Sequence, residues 1–164
     1  MQRLTTIEID KEDLKFSAAH FTIFSRTDRE RLHGHNFRVY IAVTAAVGPS
    51  GMCFSYKEVK QRIRKLCREL DEYTLIAADS PFMQISEDGD YYQVVFSGEK
   101  MFFLKSDTLL LPIVNTTVEE YSRYLLERVL QEEQFFNAAD IRRLVVKVSS
   151  GPGQWGSASW DASA

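Results

Sequence analysis

Residues 31–40 read RLHGHNFRVY, and the way this stretch continues decides the fold. From Asn36 to Val47 the chain runs NFRVYIAVTAAV, with Phe37, Val39, Ile41 and Val43 at every second position. Apolar spacing of period two marks a strand with one buried face. At the mouth of that strand, His33 and His35 are two apart and so aim to the same side, with Gly34 between them adding no side chain. The chain has only three histidines; the third, His20, lies upstream in FSAAHF, and none occurs after His35.

Upstream of the loop SRTDRER (25–31), Leu4 to Ile9 alternates weakly and Lys15 to Ala19 places Phe16 and Ala18 on one face. This predicts a first strand, bulged around Lys11 and Glu12. If the two strands pair antiparallel across the loop, His20 returns beside His33 and His35. Three neutral imidazoles so placed form a facial set with one tetrahedral position open, which is how a catalytic zinc is held. Two surface histidines flanking a turn glycine fit the HGH spacing as well, and composition leaves both readings open.

Downstream, GPSG (48–51) is a turn. Tyr56 to Leu70 carries Val59, Ile63, Cys67 and Leu70 at helical spacing. A second helix is expected from Thr116 to Gln131, capped by Thr117, with Glu119 and Glu120 in its first turn and Leu125, Val129 and Leu130 as its apolar stripe. Between the helices, residues 84–114 contain the turn signals EDGD and SGEK and the apolar runs VVF and MFFL, predicting a β-hairpin insertion that covers an edge or meets another subunit, with a direct substrate role as the alternative. Arg142 to Ser149 reads as a strand, followed by the turn GPGQWG and a closing SASW. The order implies an α+β fold, an antiparallel sheet with helices on one face, in a single domain over 1–164.

Twenty basic against 23 acidic residues, a formal charge of −3, argue against a nucleic-acid partner. The opening MQRLTTIEIDKEDL has no apolar run of the kind a leader needs, and no stretch suits a membrane span, so a cytoplasmic protein is expected. Cys53, placed on an apolar strand, and Cys67 fit no metal or redox spacing and are expected as free thiols.

FSAAH followed by LHGHNF resembles the 6-pyruvoyltetrahydropterin synthase family, which includes the 6-carboxytetrahydropterin synthases of queuosine biosynthesis. GMCFSYKEVK, LDEYTL, TVEEYSRYL and VSSGPGQWGSASW resemble further family segments in the same order. The resemblance implies a tunnelling (T-) fold: a four-stranded antiparallel sheet with two helices between strands two and three. It also implies homo-oligomers, trimers or hexamers, with active sites between subunits. Zinc would be held by His20, His33 and His35 against the side-chain hydroxyls of dihydroneopterin triphosphate or a related pterin.

Other family positions differ here. TDRERL lacks the family's proton-abstracting cysteine, Glu72 stands for the histidine of its Asp-His pair beside Asp71, Ser55 replaces an acidic or amide residue, and Ser150 lies near its pterin-anchoring glutamate. One branch of the family uses glutamate for the cysteine and leaves a hydroxymethylpterin, which makes Glu30 the candidate base. Glu30, Asp71 and Glu72 are therefore the expected catalytic residues, and Thr117, Glu119, Ser150 and Gln154 the expected substrate contacts. The plainer alternatives are a solvated charge for Glu30, helix-end caps for Asp71 and Glu72, and a dipole-favoured carboxylate for Glu119. A zinc-dependent pterin-synthase-like lyase is the first functional expectation. A pterin- or purine-like binding protein without turnover is the second, and an oligomeric scaffold the third.

Overall fold

The computed structural model describes residues 3–131 and 140–162. Strand β1 (Leu4–His20) pairs antiparallel with β2 (His33–Ala46) from Leu4↔Ala46 to His20↔His33. Between the pairs Asp10↔Tyr40 and Lys15↔Arg38, residues 11–14 of β1 face Val39 alone. This is the expected bulge, and it has a consequence for the histidines. It inserts an odd number of extra residues, so the inward face switches from odd positions (Ile9) to even ones (Leu14, Phe16, Ala18, His20). Without it His20 would leave the sheet on the side away from the core.

The main sheet has the order β7 (Thr108–Leu111), β3 (Tyr73–Ala77), β1, β2, β8 (Ile141–Ser149), β9 (Gly156–Asp161). Strands β8 and β9 complete the four antiparallel strands of the expected fold. Two further strands, β3 and β7, extend it, β3 pairing parallel with β1 and β7 parallel with β3. The sheet is therefore six-stranded, not four-stranded. Leu75, Ile76 and Ala77 are all at most 1% exposed, the continuous burial characteristic of a strand covered on both faces.

Helices α1 (Tyr56–Leu70) and α2 (Val118–Leu130) cover one face. Val59, Ile63, Leu66, Cys67 and Leu70 of α1 and Tyr121, Tyr124, Leu125, Leu126 and Val129 of α2 pack on Phe16, Phe37, Ile41, Val146 and Val148 of the sheet. Thr117 caps α2, accepting from the Glu120 N–H at 3.4 Å.

The insertion is not a hairpin. Strands β4 (Met83–Asp88), β5 (Tyr91–Phe96) and β6 (Glu99–Leu104) form a separate three-stranded antiparallel sheet. A 3₁₀ turn (Lys105–Asp107) then returns the chain to the main sheet. The β5–β6 turn has left-handed backbone at Ser97 (φ 49°) and Gly98 (φ 82°), the geometry that suits the twist of a tight antiparallel turn. Val94 and Phe96 join Phe21, Ile23 and Ile76 in a second apolar cluster. Cys53 and Cys67 are free thiols, but Cys53 lies in the irregular link between β2 and α1, not on a strand, with Sγ 3.8 Å from the Ala45 carbonyl oxygen. Burial pushes the Cys67 thiol up to about 12, with Asp71 and Asp13 adding to the rise.

Candidate metal centre and active site

Cross-strand pairing sets His20 directly opposite His33, and His35 opposite Ala18. Directly paired residues project to one face of the sheet, so all three rings share the side occupied by α2. Ring centroids are 4.7 Å apart for His20–His33, 4.8 Å for His33–His35 and 5.3 Å for His20–His35. One nitrogen from each lies within 4.8 Å of the others.

The outer nitrogens have backbone partners. His20 Nδ1 lies 2.8 Å from the Thr116 carbonyl oxygen, and His33 Nδ1 lies 2.7 Å from that of Arg31. A carbonyl can only accept, so each Nδ1 carries the proton and each Nε2 presents a bare lone pair. His20 Nε2 is buried with no hydrogen-bond partner, and His33 Nε2 meets His35 Nε2 at 3.0 Å. Buried unpaired acceptors are costly, and a cation between the rings satisfies all three nitrogens together. Ligands about 2.05 Å from a tetrahedral zinc are roughly 3.3 Å apart, which falls within the observed spread. These three residues could hold a metal ion, with Thr116 and Arg31 orienting two of them. Burial draws the His20 pKa down, opposed by the Thr116 carbonyl and reinforced by His33 and His35, favouring the neutral ring that a metal needs.

A cavity of about 210 Å³ opens beside His20 and His35, and Glu30, Thr117, Glu119, Ser150 and Gln154 line it. Glu30 is held by two rungs: its N–H donates to the Thr22 carbonyl at 2.8 Å, and its Oε2 accepts from the Thr22 N–H at 3.0 Å. Oε2 is also 3.9 Å from His33 Nε2. Partial burial raises the Glu30 carboxyl, but the Thr22 hydrogen bonds, helped by His33 and His20, hold it below the usual carboxylate range. It is not one loose charge in a solvated loop.

Gly156, two residues past Gln154, packs against the start of α2. A Cβ there would lie 2.5 Å from Val118 backbone atoms, so only glycine lets β9 cross the first turn of α2 and bring the GPGQ turn to Glu119.

Asp71 and Glu72 are elsewhere in the chain. They line a cavity with Lys15, Arg64 and Arg68, and Glu72 reaches a second, of about 480 Å³, with Ser17, Ala19, Gly34 and Asn36 on the reverse face of the β1–β2 ribbon. Asp71 Oδ1 accepts from the Ser17 N–H and Glu72 N–H donates to the Ser17 carbonyl, both at 2.7 Å. Glu72 holds left-handed backbone at φ 64°, unusual for a residue other than glycine. His35 touches both this cavity and the one beside His20. Thr22, Phe37, Thr116 and Val118 also line the cavity beside His20 and His35 and have no counterpart among the expected residues. Thr22 and Thr116 act through the main chain, which leaves no mark in residue type.

A model of the family described as 6-pyruvoyl tetrahydropterin synthase matches residues 8–159. The chain belongs to this family. Among curated relatives, a provisionally named 6-carboxy-5,6,7,8-tetrahydropterin synthase of Methanocaldococcus jannaschii is 22% identical over 144 residues, 86% of each chain. One of Pyrococcus abyssi is 24% identical over 141 residues, covering 84% of this chain and 81% of the relative. Among solved structures, 6-pyruvoyl tetrahydropterin synthase of Plasmodium vivax superposes with TM-score 0.93 at 24% identity, over 98% of this chain and 99% of that one. That of Plasmodium falciparum gives 0.92 at 22% identity, over 97% and 99%. A P. vivax variant with alanine in place of a catalytic glutamate superposes with TM-score 0.93 at 23% identity, over 98% and 99%. The chain has the T-fold. No helix among the described residues is long and apolar enough to cross a membrane.

Proposed function

We propose that the chain is a zinc-dependent lyase acting on dihydroneopterin triphosphate or a related pterin, with Glu30 as its general base. The observation that carries this is the joint placement of an oriented carboxylate, Glu30, beside His20 and His35 in one cavity, with the third convergent imidazole, His33, 3.9 Å from the Glu30 carboxylate. Zinc, when bound by His20, His33 and His35, would supply Lewis acidity toward the substrate's side-chain hydroxyls.

The chain's own groups do the rest. Thr117, Glu119, Ser150 and Gln154 form the wall that takes the pterin ring, Glu119 accepting from ring N–H and amino groups. Glu30, anchored by Thr22, accepts a proton from the substrate side chain as a carbon–carbon or carbon–oxygen bond is cleaved or rearranged. A glutamate described as catalytic in the P. vivax relative supports this choice of base. Asp71 and Glu72 would join the site only from a second copy, so their catalytic role goes together with a homo-oligomer, trimer or hexamer, in the cytoplasm.

One observation favours a pterin- or purine-like binder without turnover: Ser150 and Gln154 offer only a hydroxyl and an amide where the resemblance calls for a second carboxylate. Incubation with dihydroneopterin triphosphate, with products followed by mass, separates the two. The lyase gives a product with an altered side chain, and Glu30→Gln slows its formation about 10²- to 10⁴-fold. Tight binding without product at high protein concentration would establish the binder instead.

A further inference from the structure

The loop that carries Glu30 rests on the insertion. Its two sides meet at the bridge Ile23↔Arg29, beside the Thr22–Glu30 rungs. Phe21 and Ile23 pack on Val94 and Phe96 of β5, in a cluster separate from the main core. Arg29 is the residue that joins the two parts. Its guanidinium carbon lies 5.2 Å from the Phe21 ring centroid and 5.7 Å from that of Phe96. One terminal nitrogen donates to the Glu30 carbonyl oxygen at 2.9 Å, and the other lies 3.5 Å from a Glu99 carboxylate oxygen. The Arg29 side chain is only 20% exposed, while that of Glu99 is 72% exposed, so the aromatic contacts and the carbonyl bond outweigh the ion pair.

We infer that Arg29 is a positioning residue for Glu30, and that the three-stranded insertion serves as the floor on which the base-bearing loop is fixed. The inference rests on the reading of Glu30 as the base. A planar, forked cation suits the place: it can cover two aromatic rings and still donate in its own plane to a backbone carbonyl, which lysine cannot reproduce. The carbonyl it holds belongs to Glu30 itself, so its loss releases the peptide that aims the carboxylate at the metal cavity. The edge-cover or subunit-contact role expected of the insertion gives no reason for this link.

The test is a double-mutant cycle on turnover of dihydroneopterin triphosphate, with bound metal measured in each variant. Arg29→Met should lower kcat about 10- to 100-fold, the scale of a misplaced catalytic group. KM and metal content should stay within about twofold, and Glu99→Gln should leave kcat within about twofold as an exposed pair. In a Glu30→Gln background, Arg29→Met should change the residual rate by less than about twofold, because the group it positions is already gone. Should Arg29→Met disturb folding, Arg29→Lys, which keeps the charge, should fold and still lose most of the rate. Amide hydrogen exchange at Glu30 should quicken in either variant. An unchanged kcat in Arg29→Met, or an equal loss in both backgrounds, overturns the positioning role. An unchanged kcat in Glu30→Gln would instead overturn the base.

Discussion

Substituting Gly156 by alanine tests how the proposed pterin wall is built. An ideal Cβ at this position lies 2.5 Å from the Val118 carbonyl carbon and oxygen and 2.8 Å from the Glu119 nitrogen. Comfortable contact begins near 3.4 Å, so β9 and the first turn of α2 must part by about 0.9 Å. The obstructing atoms are backbone and cannot rotate aside. Overpacking costs about 1–3 kcal/mol, and a clash with main chain belongs in the upper part of that range, about 2–3 kcal/mol. For a chain of this size that corresponds to a fall in melting temperature of roughly 5–10 °C. The same movement carries Gln154 away from Glu119, so under the proposed function pterin affinity should fall with stability. Gly151→Ala is the control, since a Cβ there meets nothing within 4 Å, and it should stay within about 0.5 kcal/mol of the parent. Thermal melts of the three proteins, with and without pterin, measure both effects. A Gly156→Ala protein melting within about 1 °C of the parent would refute the claim that strand and helix touch at this point.

Asn115→Ala should weaken metal binding without touching a ligand. Asn115 accepts from the Ile23 and Thr116 N–H groups and donates to the Ile23 carbonyl, so it fixes the segment whose Thr116 oxygen orients His20. A loss of about tenfold in affinity is expected by chelator competition, and an unchanged affinity would remove Asn115 from the support of the site. Glu120→Gln should cost about 1–2 kcal/mol at pH 7, because Glu120 accepts from Arg123 and from the Val114 N–H. Arg123 first, then the Val114 N–H, outweigh burial and hold the Glu120 carboxyl below its usual 4.5. That stabilisation is present above pH 4.5 and is lost as pH falls through the depressed value, so the parent and variant stability curves should converge in acid. Parallel curves throughout would contradict the assignment.

Much of the core fold was legible because its signals are local. The β2 alternation, the helical spacing of Val59, Ile63 and Cys67, and the break around Lys11 and Glu12 each sit within one element. The histidine cluster became legible through one long-range step, the pairing of β1 with β2. Strands β3 and β7 were not legible. They are short, continuously apolar and paired in parallel with distant segments, which leaves no period to read. Strand β4, MQISED, is mostly exposed and reads as polar loop, which is why a three-stranded sheet looked like a hairpin. Within the site, side-chain roles left traces in residue type, whereas the Thr116 and Arg31 carbonyls and the Thr22 N–H could belong to any residue. Asp71 and Glu72 show the reverse case: chain order placed them in a motif, and within one chain they line another cavity.

The central claim is that His20, His33 and His35 grip one metal ion and leave it a vacant face. X-ray absorption at the zinc edge on metal-loaded protein tests it most directly. Three imidazole nitrogens at about 2.0–2.1 Å and one light oxygen ligand are predicted, with the signal lost in His20→Ala. A sulfur at about 2.3 Å, or a fourth imidazole closing the shell, would contradict the claim, as would failure of the parent protein to take up metal.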